Sequence, residues 1–127
     1  MTRFNLIAIT ILLVVLSGCS QQAQLVAYNR TETELTIVDP DGKSHLLKPG
    51  GRMETIFFGA GSRFYVTRAG VRFGYTTPKY PPREYRGEKY PYEIVVTFNE
   101  DMAIYVCYPD GREVVDQPDG FPVKPIE

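Results

Sequence analysis

The sequence predicts an all-β domain: an antiparallel sandwich or small barrel of about eight to nine short strands, behind a removable N-terminal segment. Three observations carry this reading. Nine Tyr and seven Phe, together with Val, Ile and Thr, suit the half-buried pleated surface of a sheet. Eleven Gly and ten Pro fall largely in turn-like clusters, spaced as a protein of many short strands requires. After residue 18, no stretch of ten residues shows helical apolar spacing without a Gly or Pro inside it.

The strands follow in order. Residues 25–29 form the first. Glu34-Leu35-Thr36-Ile37 alternates polar and apolar and forms the second. Asp39-Pro40-Asp41-Gly42 is a turn, with Pro fixing φ and Gly supplying positive φ. Residues 44–47 return as a third strand. Pro49-Gly50-Gly51 turns again, and residues 52–58 make a fourth before Gly59-Ala60-Gly61 breaks it. Residues 63–67 and 71–73 alternate cleanly. Residues 93–98 and 102–108 read as a hairpin across Asn99-Glu100-Asp101. Pro109-Asp110-Gly111 opens a last hairpin into 112–115. The inward set is then Leu35, Ile37, Ile56, Phe58, Phe64, Val66, Val71, Phe73, Ile94, Val96, Phe98, Ile104 and Val106. The segment Leu35-x-Ile37-x-x-Pro40-Asp41-Gly42-Lys43 echoes Ile104-x-Val106-x-x-Pro109-Asp110-Gly111-Arg112. Two similar hairpins explain this more simply than a duplication. The tail, 116–127, holds three Pro and reads as extended or disordered.

The chain of 127 residues is one domain by length. Fourteen Lys plus Arg against fifteen Asp plus Glu give a formal charge of −1, so no global field draws in nucleic acid. At the N-terminus, Arg3 precedes an apolar run from Leu6 to Leu16, followed by small residues. That is the order of a signal peptide. As a helix the run would rise only about 16 Å, against a hydrocarbon core of ~30 Å.

Leu16-Ser17-Gly18-Cys19 resembles the lipobox of bacterial lipoproteins. The resemblance covers the signal and Cys19 alone and leaves the folded domain unassigned. It implies that residues 1–18 are removed, that the Cys19 thiol carries diacylglycerol, and that the new amine is open to acylation. Two or more acyl chains give stable anchoring where one holds only reversibly. Ser20 after the Cys implies the outer membrane in a Gram-negative envelope. Residues 19–24 then form a lipidated tether to a β domain over 25–115. Five extended residues after the Cys span at most roughly 17 Å, so the domain stays near the leaflet. The expected localisation is the cell envelope, and the only non-protein group expected is the covalent lipid.

Catalytic chemistry finds little support. His45 is the only imidazole, so it would have to serve as the base of any Ser/His/Asp triad. Its neighbour Ser44 points to the opposite face of the strand. Asp39-x-Asp41-Gly42 begins like a calcium loop, but Lys43 follows and the remaining ligands are missing, which favours turn chemistry. Glu100 with Asp101 reads as a polar hairpin tip. Cys107 is the one thiol left after lipidation and reads as a small buried hydrophobe. Asn29-Arg30-Thr31 matches a glycosylation sequon but reads as a strand end and turn. No catalytic residue, metal site, cofactor or small-molecule substrate is inferred.

The segment 76–91, with its flanking tyrosines, is the candidate contact surface. Tyr75, Tyr80, Tyr85 and Tyr90 recur every five residues, a spacing that fits neither helix nor strand. Lys79, Arg83, Arg86 and Lys89 lie between them against Glu84 and Glu88, and four Pro favour extended backbone. Long loops in compact domains are uncommon and tend to be functional or disordered. Tyr and Arg supply contact area and directed hydrogen bonds at interfaces. The expected partner-binding residues are Tyr75, Tyr80, Arg83, Tyr85, Arg86, Tyr90 and Tyr92. Two uses stay open: an interaction loop, or a cover whose rings pack back onto a sheet. The expected function is a non-enzymatic binding or assembly accessory that meets an envelope protein. The alternatives are a glycan-binding or receptor-blocking surface lipoprotein and, remotely, an enzyme.

Overall fold

The computed structural model describes residues 23–86 and 92–126. The signal peptide, Cys19 and most of the tether lie outside the described residues. Eight strands form two four-stranded sheets stacked as a sandwich, so the sandwich is the correct member of the expected pair. They are β1 (Gln24–Asn29), β2 (Leu35–Val38), β3 (Ser44–Leu47), β4 (Arg52–Ile56), β5 (Arg63–Arg68), β6 (Val71–Thr76), β7 (Glu93–Phe98) and β8 (Ile104–Cys107). A 3-10 turn, η1 (Arg83–Tyr85), lies between β6 and β7. One sheet runs β4-β1-β7-β8 and the other β3-β2-β5-β6.

The core forms where the alternating faces meet. Leu35, Ile37, Leu47, Val66 and Tyr75 enter from one sheet; Ala27, Ile94, Val96, Phe98, Ile104 and Val106 enter from the other. The tip of the β7–β8 hairpin is pinned to the opposite sheet. Arg68 on β5 donates to the Glu100 carbonyl at 3.0 Å and pairs with its carboxylate, which also accepts the Glu32 N–H at 2.7 Å. Asp101 accepts the Ala103 N–H at 2.9 Å, so Glu100 and Asp101 serve the hairpin tip as expected.

Several expectations need correction. The sheets are not wholly antiparallel: β1 pairs parallel with β7, from Gln24 opposite Glu93 to Asn29 opposite Phe98. A parallel pair needs a long crossover, and here the whole second sheet lies between the two strands in sequence. In β4, Met53 and Thr55 lie opposite Ala27 and Leu25 and face the core, which puts Ile56 on the outer face. After β4 the chain turns Phe57 inward, its N–H bonded to the Ala23 carbonyl at 2.8 Å; Phe57, not Phe58, is the buried ring. Val71 shares a face with Leu35 but sits at the sheet edge and is exposed.

The last hairpin is also shorter than expected. Residues 112–115 form no strand, only a bridge from Glu113 to Cys107. Its turn matches the first one, however. Gly42 bonds to the Asp39 carbonyl as Gly111 bonds to that of Tyr108, both Gly with positive φ. The echo in the sequence is an echo of turns. The tail, read as extended or disordered, forms no strand of its own and is packed. Phe121 and Val123 are buried, and Val123 bridges to Ile104. The Gln117 amide binds both backbone groups of Val106, at 2.8 and 2.9 Å. The tail thereby supplies partners to the free edge of β8, which would otherwise present unpaired backbone groups.

Candidate functional site

The Tyr/Arg segment splits between core and surface. Tyr75 closes β6 with its side chain on the inner face and is fully buried. It stacks on Phe64 at 5.1 Å, meets Phe98 edge-on at 6.4 Å, and donates to the Met102 carbonyl at 2.6 Å. Burial, with the Asp101 charge adding to it, holds its hydroxyl firmly protonated. Tyr75 is therefore withdrawn from the partner-binding set. The period of five placed it in the loop, whereas the alternation of β6 continues through it.

The rest build a surface around η1. Tyr85 is half-buried against the core and stacks on Tyr108, with ring centres 5.5 Å apart and planes 29° apart. The Arg112 guanidinium lies over the Tyr108 ring at 4.9 Å. Next in sequence, the Arg86 guanidinium lies 5.2 Å from the Tyr92 ring and 6.0 Å from that of Tyr80. Both distances fall within the range at which a ring quadrupole attracts a cation. Tyr80 packs on Phe57 at 4.8 Å yet stays 41% exposed. Arg83 is exposed at the start of η1. Among the described residues no carboxylate pairs with Arg83 or Arg86, and the Arg86 Nε is buried without a hydrogen-bond partner. Tyr90 lies outside the described residues. The rings thus serve only in part as the cover considered for them. They pack inward on one side, and Tyr80, Arg83 and the Tyr85–Tyr108 pair meet solvent on the other. The sequence reading missed Tyr108 and Arg112, because a hairpin turn distant in sequence brings them beside η1.

A second constellation sits at the opposite sheet edges. In the β2–β3 hairpin, Ile37 faces His45. Asp39, two residues past Ile37, points to the same face and lies diagonally across from His45. His45 Nε2 and the Asp39 carboxylate are 2.9 Å apart, with the Asp39 side chain 6% exposed. The other Asp39 oxygen accepts the N–H groups of Asp41 and Lys43 at 3.0 and 2.9 Å. Burial works to raise this carboxyl, but the bonds from His45, Lys43 and Asp41 outweigh it and hold it below the ordinary value. The pair borders an open groove that also touches Lys43, Glu54 and Thr55. Among the described residues, His45 is hydrogen-bonded to no hydroxyl or thiol. The hairpin register was available to find this pair.

The sign of one pH effect follows. An acid held low in the folded state stabilises the fold above its unfolded value and loses that contribution as pH falls through the folded value. Unfolding midpoints in urea should therefore drop as pH falls below the ordinary Asp value of 3.8. Asp39→Asn should cost about 1–2 kcal/mol at neutral pH and flatten that acid limb. An unchanged acid limb in the variant would remove Asp39 from the account.

Two further residues are structural. Cys107 is buried, and burial raises its thiol above the ordinary value. Asn29 of the sequon is fully buried, with its amide wholly engaged. No family model, curated protein or solved structure matches this chain.

Proposed function

We propose that this protein is a lipid-anchored, non-enzymatic binding component of a bacterial envelope, held by Cys19 and docking an envelope protein through the surface around η1. The observation that carries the reading is the paired stack: Tyr85 on Tyr108 under Arg112, beside Arg86 between Tyr80 and Tyr92. Rings already fixed against the core lose little freedom on docking. The Arg86 guanidinium, held by ring faces rather than by a carboxylate, keeps donors for a partner, while Arg112 shares its charge with Asp110 and presents its remaining donors. Anchoring near the outer-membrane leaflet raises the effective concentration of this surface for anything in the same membrane. A second reading, a glycan ligand, is favoured by the half-exposed Tyr85–Tyr108 pair, whose ring edges and hydroxyls beside Arg112 offer apolar contact and hydrogen bonds to a sugar.

The test uses the full-length lipoprotein, gently solubilised from membranes. Wild type should retain one envelope protein in stoichiometric amount. Arg83→Glu with Arg112→Gln should cut that retention at least about tenfold while leaving the melting temperature in place. Co-sedimentation with envelope polysaccharide, lost in the same variant, would move the assignment to the glycan. Retention unaffected by the variant would sink both. Mass spectrometry should find the mature chain starting at a diacylated Cys19; a bare thiol there would overturn the anchor.

A further inference from the structure

The space between the sheets is not completely filled. A cavity of about 70 Å³ lies against Leu25, Ala27, Ile37, Met53, Phe64 and Val96. That is several times the ~10–15 Å³ a single small guest requires. Its walls are almost entirely carbon. A water inside would need at least two polar partners, and the interior offers none, so the space stays dry and suits an apolar guest. Asp39, Thr55 and Phe58 border both this cavity and the open groove outside it. The cavity and the groove therefore adjoin at these side chains, beside the edge strands β3 and β4. The groove carries both signs of charge: the Asp39–His45 pair at its mouth, the exposed Asp41 and Lys43, and Glu54, which Arg52 already engages.

We propose that this site binds the chain end of a single-chain zwitterionic amphiphile. The last roughly three carbons fill the cavity, and the head lies in the groove with its anionic part toward Lys43 and its cationic part toward Asp41. Among the described residues, neither side chain is hydrogen-bonded or ion-paired. A purely anionic head would face the three carboxylates of the groove. A purely cationic one would leave Lys43 unpaired beside it. The dry interior supplies the affinity, which rises about fourfold for each methylene removed from water. The site is independent of the surface around η1: the cavity walls come mainly from strands, and the head groups meet the β2–β3 turn, whose backbone Asp39 holds through the N–H groups of Asp41 and Lys43.

The experiment is a methyl-resolved NMR titration with n-alkylphosphocholines from hexyl to decyl, each below its micelle concentration. The methyl signals of Ala27, Leu25, Ile37 and Met53 should move. Affinity should climb with chain length and then level off once the cavity is full. Ala27→Leu, which fills the space from its floor, should weaken binding at least about tenfold without lowering the melting temperature. Met53→Ala enlarges the space and should move the levelling-off to longer chains; it decides the matter if the Leu variant does not fold. Octylphosphocholine should bind more tightly than octanoate or octylammonium, and equal affinities would overturn the assignment of the head. Affinity indifferent to chain length, shifts confined to residues outside the cavity, or an unchanged length preference in Met53→Ala would each overturn the site.

Discussion

Tyr75→Ala is expected to cost about 4 kcal/mol of stability, a large share of the ~5–15 kcal/mol that a domain of this size possesses. The ring is fully buried between Phe64 and Phe98, in the layer where the two sheets meet. Removing it leaves a cavity that neighbouring strands cannot close, because each is fixed by its own ladder. Its hydroxyl does separate work. It donates to the carbonyl of Met102, a non-glycine residue at φ 61°, and so helps hold an uncommon backbone conformation at the β7–β8 turn. Tyr75→Phe keeps the ring and orphans that carbonyl, so it should cost about 1–2 kcal/mol. Urea unfolding of the two variants separates packing from the hydrogen bond. Partner retention should be normal in Tyr75→Phe, since the residue has no exposed face. An Ala variant that unfolds at the wild-type midpoint would mean that the ring is not the keystone described.

Much of the strand order was legible because the turns are written in residues with few other uses. Pro40-Asp41-Gly42 and Pro49-Gly50-Gly51 bracket β3 to within a residue, and the alternation in 35–38 and 63–68 fixes which face meets the core. Less visible was the parallel pairing of β1 with β7. A faint sign of it exists, since Leu25-Val26-Ala27 and Ile94-Val95-Val96 are unbroken apolar runs, as strands buried on both faces tend to be. Runs of that length say nothing about direction. The packing of the tail was hidden for a different reason. Its three Pro bar it from a central strand, yet they do not stop Phe121 and Val123 from packing, nor Gln117 from standing in for a missing strand at β8.

The candidate surface was half legible. Composition singled out the segment, and chain connectivity hid what completes it. Tyr85 finds its stacking partner on Tyr108, beyond β8, and Tyr80 finds Phe57, beyond β4. Contacts between residues so far apart follow from topology, and topology was the missing step. The cavity was invisible for a related reason. It is a mismatch of volume between two facing layers, with Ala27 small where its neighbours are large, and no local pattern records it.

A buried amide gives the second large effect. Asn29 ends β1 with its side chain fully enclosed. Its Nδ2 donates to the carbonyls of Thr33 and Leu47, both at 2.9 Å. Its Oδ1 accepts the Thr31 N–H at 2.8 Å and the Thr31 hydroxyl at 2.7 Å. Two donors and two lone pairs are all that the group possesses, and all are used. Asn29→Asp changes little in shape and puts an oxygen where the two carbonyls expect N–H groups. Protonated, the new acid can serve one of them, at a cost of about 2–3 kcal/mol. Ionised, it serves neither and brings a buried charge, so its folded pKa must rise above the ordinary ~3.9. The variant should therefore stand closest to wild type in acid and fall further behind as pH climbs from that ordinary value to the raised one, by up to about 1.4 kcal/mol per pH unit. Wild type loses the Asp39 contribution in acid, and the variant shares that loss, so the quantity to follow is the difference between the two. Asn29→Ala, with no proton to gain, should run parallel to wild type at every pH, roughly 3 kcal/mol below it. A difference between Asn29→Asp and wild type that stays flat or narrows with rising pH would show that this amide is not the saturated hub joining β1 to the turns beside β2 and β3.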